Sequence, residues 1–123
     1  MERVTGIGGI FFKSPDPKAL CAWYEQHLGV TPGWDFGALF KWEGHGGTVW
    51  SPFAADTKYF APSPAPFMVN FRVANLGRML EQLRAGGVTV DAKTEESEEY
   101  GKFGWCMDLD GNRVELWEPP AGQ

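Results

Sequence analysis

The sequence predicts an α+β domain that pairs two βαβββ modules. The sequence pattern predicts a strand–helix–three-strand order twice within the 123 residues. Both expected helices carry an apolar stripe at helical spacing, and the expected strands alternate or are bounded by glycine and proline. A chain of this length suits one domain over residues 1–123, with module one at about 1–53, a linker at about 54–65 and module two at about 66–120.

Module one opens with a strand over 4–13, which the sequence SPDP ends. Asp16 suits the N-cap of a helix, Pro17 its first position, and Gly29 its end. Short strands are expected near Val30, at 36–42 and at 47–52, with the glycine-rich EGHGG as the turn between the last two. The helical stripe consists of Leu20, Trp23, Tyr24, His27 and Leu28.

Module two repeats the plan with a strand at 66–73 and Asn75 as the N-cap of its helix. Gly86-Gly87 ends this helix. Strands follow at 88–90, 102–108 and 112–118, the last two joined at the Asp110-Gly111 turn. The proline-containing segment 52–66 is interpreted as the linker, and the acidic run 95–99 as a solvated loop. The stripe of the second helix consists of Leu76, Met79, Leu80 and Leu83.

Composition narrows the classes of function. The net charge is −5 and the Lys and Arg residues form no cluster, so a nucleic-acid partner is disfavoured. No apolar run approaches the roughly 18 residues of a membrane span. The N-terminus lacks the apolar region of a signal peptide, and Cys21 and Cys106 have no metal-type spacing, so we expect free thiols in the cytoplasm. Six Trp and nine Phe exceed the needs of one core, which indicates an interface or a ligand pocket.

The stretch YGKFGWCMDLDGNRVELWEPP (100–120) resembles the vicinal-oxygen-chelate superfamily, which includes glyoxalase I, bleomycin-resistance proteins and extradiol dioxygenases. MVNFRV (68–73) and DPKALCAWYEQHLGV (16–30) extend the resemblance over essentially the whole chain. It implies that the sheets of two modules curl around a shared cavity. It also implies, for the metal-using members, a divalent ion held in that cavity by side chains of both modules.

The metal-ligand positions of the superfamily are largely replaced in this sequence. Only Glu115 is a suitable ligand, whereas such sites need three or four His, Cys, Asp or Glu side chains. His27 lies on a helical stripe and His45 in a glycine-rich turn, where packing and solvation explain them. We therefore expect no metal and no cofactor. The positions implied by the resemblance are Gly9, Met68, Thr48 or Trp50, and Glu115.

An aromatic face is expected to line the cavity. Strand alternation places Phe11 and Met68 on the side away from the helices, and a turn centred on His45 brings Phe40 beside Trp50. Gly9 shares this face. The candidate ligand-binding residues are Phe11, Phe40, Trp42, Thr48, Trp50, Met68, Asn70, Glu115 and Trp117.

Glu115 is the one acid of this face and the candidate catalytic residue if a reaction occurs. It lies in mid-strand between Val114 and Leu116, where burial is costly unless a partner compensates it. Two interpretations stay open: the carboxylate bonds to a neighbouring side chain or water, or it contacts a ligand or transfers a proton.

The leading hypothesis from these residues is a binding protein for a small aromatic or amphipathic molecule, without a metal. The alternative is a metal-dependent lyase, isomerase or dioxygenase of the glyoxalase type that uses Glu115. A third possibility is a subunit whose aromatic face forms the interface of a homodimer. Pairing of the modules within one chain or between chains stays open.

Overall fold

A computed structural model of the chain describes residues 1–3, 7–34 and 37–123. The elements within these residues are α1 (Pro17–Leu28), β1 (Val69–Arg72), α2 (Leu76–Ala85), β2 (Glu95–Ser97), β3 (Gly101–Met107) and β4 (Arg113–Glu118). The four strands form one mixed sheet in the order β1-β4-β3-β2, so the α+β class is confirmed. β1 pairs with β4 in parallel, and the other pairs are antiparallel.

The first helix forms as its sequence predicts. The Asp16 carboxylate accepts a hydrogen bond from the backbone N–H of Ala19 at 3.1 Å, and Pro17 follows at the first helical position. Gly29 ends the helix with a φ of 69°, in the left-handed region that glycine tolerates best. Leu20, from the predicted stripe, is buried.

The second helix supplies most of the core. The side chain of Asn75 accepts from the N–H of Arg78 at 3.0 Å, which confirms the predicted N-cap. The helix packs closely on β3 because Gly104 has no side chain: a Cβ there would lie 3.1 Å from the δ carbons of Leu80. The buried cluster consists of Leu76, Leu80, Leu83, Cys106, Val114 and Leu116.

The central position of β4 gives its two faces different environments. Val114 and Leu116 point to the helices and are 1% and 0% exposed, which confirms that they belong to the core. Because successive residues of a strand point to opposite faces, Glu115 and Trp117 lie on the face away from the helices. The carboxylate is thus held on the sheet face that the sequence predicts.

A turn between β3 and β4 ties α1 to the sheet. Asp108 is buried and accepts hydrogen bonds from the N–H groups of Asp110 and Asn112 and from the side-chain amide of Asn112. The hydroxyl of Tyr24, on α1, donates to the same carboxylate at 2.8 Å. Burial and this acid together raise the pKa of Tyr24, so the phenol stays protonated and remains a donor.

The strands predicted for module one are not found in the described residues. The expected strand at 4–13 falls partly outside them, and residues 7–13 form no strand. Residues 37–52 likewise form no hairpin, and Trp34 and Gly37 make only an isolated bridge. Within the described part of the chain the βαβββ order therefore appears once, and the sheet is open, with β1 and β2 at its edges. Glycines at 8, 9, 37 and 47 lie within the expected strands and weaken them.

Two smaller predictions for module two also differ from the structure. Residues 88–90, expected as a strand, contribute only an isolated bridge between Val90 and Cys106. The acidic run expected as a loop instead provides β2, in which Glu95 pairs with Phe103. Every residue of β2 is exposed, which an edge strand tolerates because its side chains reach water. None of the described helices has the length and apolar character needed to cross a membrane.

Candidate functional site

Glu115 lies at the centre of the sheet face opposite the helices. Asn70 of β1 and Trp105 of β3 are its direct partners in the strand register. The residue is only 8% exposed. An isolated carboxylate at that depth would be strongly destabilising, so its hydrogen bonds decide what it can do.

Three neutral donors hold the Glu115 carboxylate. The hydroxyl of Tyr59 and the indole Nε1 of Trp105 donate to Oε2 at 2.7 and 2.8 Å, and Nδ2 of Asn70 donates to Oε1 at 2.8 Å. A carboxylate offers about four lone-pair positions. In the described part of the chain one position on Oε1 therefore has no donor, and it lies beside Asn70, which is exposed.

Tyr59 is a site residue that sequence reasoning missed, because it lies in the predicted linker. Its ring meets Trp105 edge-on at 6.1 Å between centroids and stacks on Phe53 at 5.4 Å. Burial and the bond to Glu115 raise the pKa of Tyr59, which keeps the phenol protonated. The available signal was three aromatic residues, Phe53, Tyr59 and Phe60, within a proline-rich segment: a solvated linker has no need of them.

Trp117 lies two residues further along the same face and is fixed from three sides. The guanidinium of Arg72 lies 5.2 Å from its ring centroid, and the ring of Phe103 stacks on it at 6.2 Å with an interplanar angle of 11°. Its Nε1 donates to the backbone oxygen of Tyr100 at 2.7 Å. The predicted residues Asn70, Glu115 and Trp117 thus share one face, and Met68 directly precedes β1 on the same chain segment.

The predicted residues of module one are not gathered at Glu115. Phe11 is 95% exposed, and Trp42 and Trp50 are each 79% exposed. Thr48 is also exposed. Phe40 lies on the other side of the sheet, 6.1 Å from the ring of Phe71. These positions follow from the missing hairpin: without paired strands, nothing aligns the aromatic residues on a common face.

A cavity lies on the helical side of the sheet, away from Glu115. It measures about 370 Å³ and is bordered by apolar side chains such as Leu28, Phe71 and Met79. Two of its polar neighbours are already engaged, since Asn75 caps α2 and Gln82 donates to the backbone oxygen of His27. Ligand sites combine apolar walls with convergent polar groups, and the Glu115 face has those groups.

The donor set around Glu115 does not fit a divalent metal ion. Three of its lone-pair positions are occupied by hydrogen-bond donors, and Gly9 and Met68 stand where the resemblance implies ligands. Among the residues that the structure describes, no three His, Cys, Asp or Glu side chains are grouped so that they could hold an ion. Zinc and iron sites need three or four such ligands.

Comparison with known proteins identifies a superfamily. A family model described as the Glyoxalase/Bleomycin resistance protein/Dioxygenase superfamily matches residues 6–116, which include parts of both expected modules. A search of the curated proteins found no match.

Two solved structures show weaker similarity. The trypanothione-dependent glyoxalase I of Leishmania major is 20% identical, with a TM-score of 0.34, and the match covers 42% of this chain and 34% of that enzyme. The chain therefore spans only about a third of the length of that enzyme. A protein from the mobile metagenome of V. pseudocholerae is also 20% identical, with a TM-score of 0.47 and a coverage of 82% and 84%.

Proposed function

The chain belongs to the Glyoxalase/Bleomycin resistance protein/Dioxygenase superfamily, and we propose that it binds a small aromatic or amphipathic molecule at Glu115 without a metal ion. The observation that carries the proposal is the open acceptor position on Oε1 of a buried carboxylate. The opposite oxygen is saturated by Tyr59 and Trp105. The ligand is therefore one that donates a hydrogen bond from the edge of a flat, largely apolar body.

Preorganisation supports binding at this carboxylate. Its three donors come from β1, β3 and the linker (residues 54–65), so the acid is already oriented before a ligand arrives. A hydrogen bond to an ionised group is stronger than one between neutral groups, and a cationic donor gains further. Trp117, which lies on the same sheet face and is partly exposed, supplies apolar surface for the flat part of the ligand, whereas Trp105 is buried and acts only as a donor to the acid.

A matched pair of probes tests this site. Benzamidine is flat and presents N–H donors on a positive charge, whereas acetophenone has a similar size and shape and only an acceptor. Titration of each, followed by calorimetry and tryptophan fluorescence, should give the tighter binding for benzamidine. Equal affinity for the two probes would contradict an acceptor site.

Substitution Glu115→Gln sharpens the test. The Gln side-chain oxygen can retain the bonds from Tyr59 and Trp105, and a flipped Asn70 can accept from the new amide N–H, so the internal network survives. The open position then becomes a donor. We expect benzamidine to lose about 1–3 kcal/mol of binding free energy, and acetophenone to lose none. Unchanged benzamidine binding would assign the carboxylate a purely structural role.

The metal-free part of the proposal has its own measurement. Elemental analysis after gel filtration should find no stoichiometric Zn, Ni or Fe, and addition of these ions should leave the melting temperature unchanged. A retained stoichiometric ion would instead favour the metal-dependent lyase, isomerase or dioxygenase, with Glu115 among its ligands. In that case turnover of methylglyoxal with glutathione is the first assay.

We further propose a homodimer in the cytoplasm. Of the thirteen exposed large apolar side chains in the described residues, eleven precede residue 54, a concentration that a second copy of the chain could cover. The edge strand β1 is also available for pairing. Cys21 and Cys106 are free thiols, as is usual in a reducing compartment. Sedimentation equilibrium that gives a monomer at all micromolar concentrations would contradict the dimer.

A further inference from the structure

Arg113 occupies an unusual position at the start of β4. It lies on the same sheet face as Glu115, with a side chain that is only 14% exposed. Its guanidinium lies 4.9 Å from the ring centroid of Trp105 and 5.9 Å from that of Tyr59. Two aromatic neighbours thus fix the plane of the guanidinium.

The hydrogen bonds of Arg113 are incomplete along one edge. Nη1 donates to the backbone oxygen of Ala61, in the linker. Nη2 has only a long contact of 3.5 Å to Oδ2 of Asp91, and Nε is buried without a partner among the described residues. Nη2, which makes only this long contact, is the donor of this edge that stays open to a stronger acceptor. Nε has almost no surface that a ligand atom could contact.

A small cavity adjoins this guanidinium. It measures about 150 Å³ and lies between Pro62 of the linker, the segment at Val90 and the end of β3 at Met107. Since a liquid water occupies roughly 30 Å³, the space suits an organic group of a few heavy atoms. Asp91, Trp105 and Arg113 also line it.

We propose that this cavity is a binding site for a primary carboxamide group. The amide oxygen accepts from Nη2 of Arg113, and the amide N–H donates to the carboxylate of Asp91. Asp91 balances the charge of Arg113, so a neutral group is preferred and a carboxylate meets repulsion from Asp91. This site does not include the open acceptor position on Glu115. The carboxamide proposal therefore holds whether or not a ligand binds at Glu115.

Acetamide and acetate are the probes for this site, because they have the same size and differ in charge. Titration of nitrogen-15-labelled protein would follow the side-chain Nε–H signal of Arg113 and the indole signal of Trp105 by NMR. We expect a saturable shift of both signals with acetamide in the millimolar range, and binding of acetate that is about tenfold weaker. No saturation with acetamide, or tighter binding of acetate, would overturn the proposal.

Two variants separate recognition from folding. Arg113→Lys keeps the positive charge and removes Nη2 and the planar fork, so acetamide binding should be lost. Asp91→Ala changes a side chain that is 39% exposed, so the fold should be retained. It removes the repulsion of acetate, and the preference for acetamide should fall from about tenfold to within about twofold. An Asp91→Ala protein that still prefers acetamide tenfold would overturn the role given to Asp91.

Discussion

The two halves of the chain carry similar apolar patterns and bury them differently. In the second half (residues 66–123), α2 covers the sheet and Leu83 and Leu116 are fully buried. In the first half (residues 1–53), α1 is the one regular element among the described residues, and large side chains such as Phe11 and Trp42 are exposed. A repeat of apolar residues every two or 3.6 positions thus indicates which face of a strand or helix prefers burial. It does not indicate which other element packs against that face.

Glycine distribution explains part of the contrast. The expected strands of the first half contain Gly8, Gly9, Gly37 and Gly47, where backbone freedom opposes extended pairing. In β3 and β4, by comparison, glycine occurs at 101 and 104 only. Both glycines are needed at their positions. Gly101 has a φ of 95°, in a region that other residues rarely adopt, and Gly104 lacks the Cβ that would press against Leu80. The second half places its glycines where the fold needs them.

Thiol labelling of the two cysteines is the measurement for which we expect the largest difference between the two halves. Burial, reinforced by the charge of Asp108, raises the pKa of Cys106 from 9.0 to about 12. The thiolate fraction near pH 8 is then about a thousandfold below that of an ordinary thiol. A disulfide reagent should therefore label half-buried Cys21 first and Cys106 at least about a thousandfold more slowly than a thiol in an unfolded peptide.

The labelling experiment has an internal control and a pH dependence. In denaturant both thiols should react alike, and single-thiol variants Cys21→Ser and Cys106→Ser assign the rates. The raised pKa also means that the folded state holds its proton while the unfolded thiol ionises. The contribution of the protonated Cys106 thiol to the free energy of unfolding is therefore fully present below pH 9, and it is lost as the pH rises from 9 towards 12. Equal native labelling rates would show that the core of the second half is open.

Truncation of one leucine in each half gives the next largest difference. Leu83 is 0% exposed, and Leu83→Ala should lower the free energy of unfolding by about 2–5 kcal/mol, since it removes buried methyl groups and leaves a cavity. The matched variant Leu39→Ala changes a side chain that is 71% exposed and should stay within about 0.5 kcal/mol of wild type. Urea denaturation of both proteins measures the pair. If Leu39→Ala costs as much as Leu83→Ala, residue 39 is packed in solution, for example against a second copy.

Local signals were sufficient for the parts of the fold that depend on neighbours in sequence. The N-caps Asp16 and Asn75, the helix end at Gly29 and the turn at Gly111 each need only a few adjacent residues, and all were predictable. The alternation of β4 likewise predicted which face Glu115 occupies. The predicted face was enough to identify Glu115 as the candidate residue, but it did not predict which side chains donate hydrogen bonds to it.

Interactions between distant residues were beyond the sequence pattern. Tyr59 reaches Glu115 across 56 positions, and its segment has the proline content of a linker. β2 forms from an acidic stretch because it pairs at an edge, where charge is tolerated. The predicted hairpin at 36–52 needed strand pairing that Gly37 and Gly47 oppose, and Phe36 lies outside the described residues. Each difference arises where tertiary pairing outweighs local preference.

Substitutions at the two helix N-caps are expected to have the smallest effect on the free energy of unfolding. They test whether α1 belongs to the same cooperative unit as α2. Asp16→Ala and Asn75→Ala each remove one side-chain acceptor for a backbone N–H, and each should cost about 1 kcal/mol of unfolding free energy. Equal costs are expected because Tyr24 of α1 is bonded to the buried Asp108 of the second half, so α1 unfolds with the sheet. Asp16→Asn and Asn75→Asp are the controls, since both retain a capping oxygen. If Asn75→Ala is destabilising and Asp16→Ala is neutral, α1 frays independently, and the division between the halves includes the first helix.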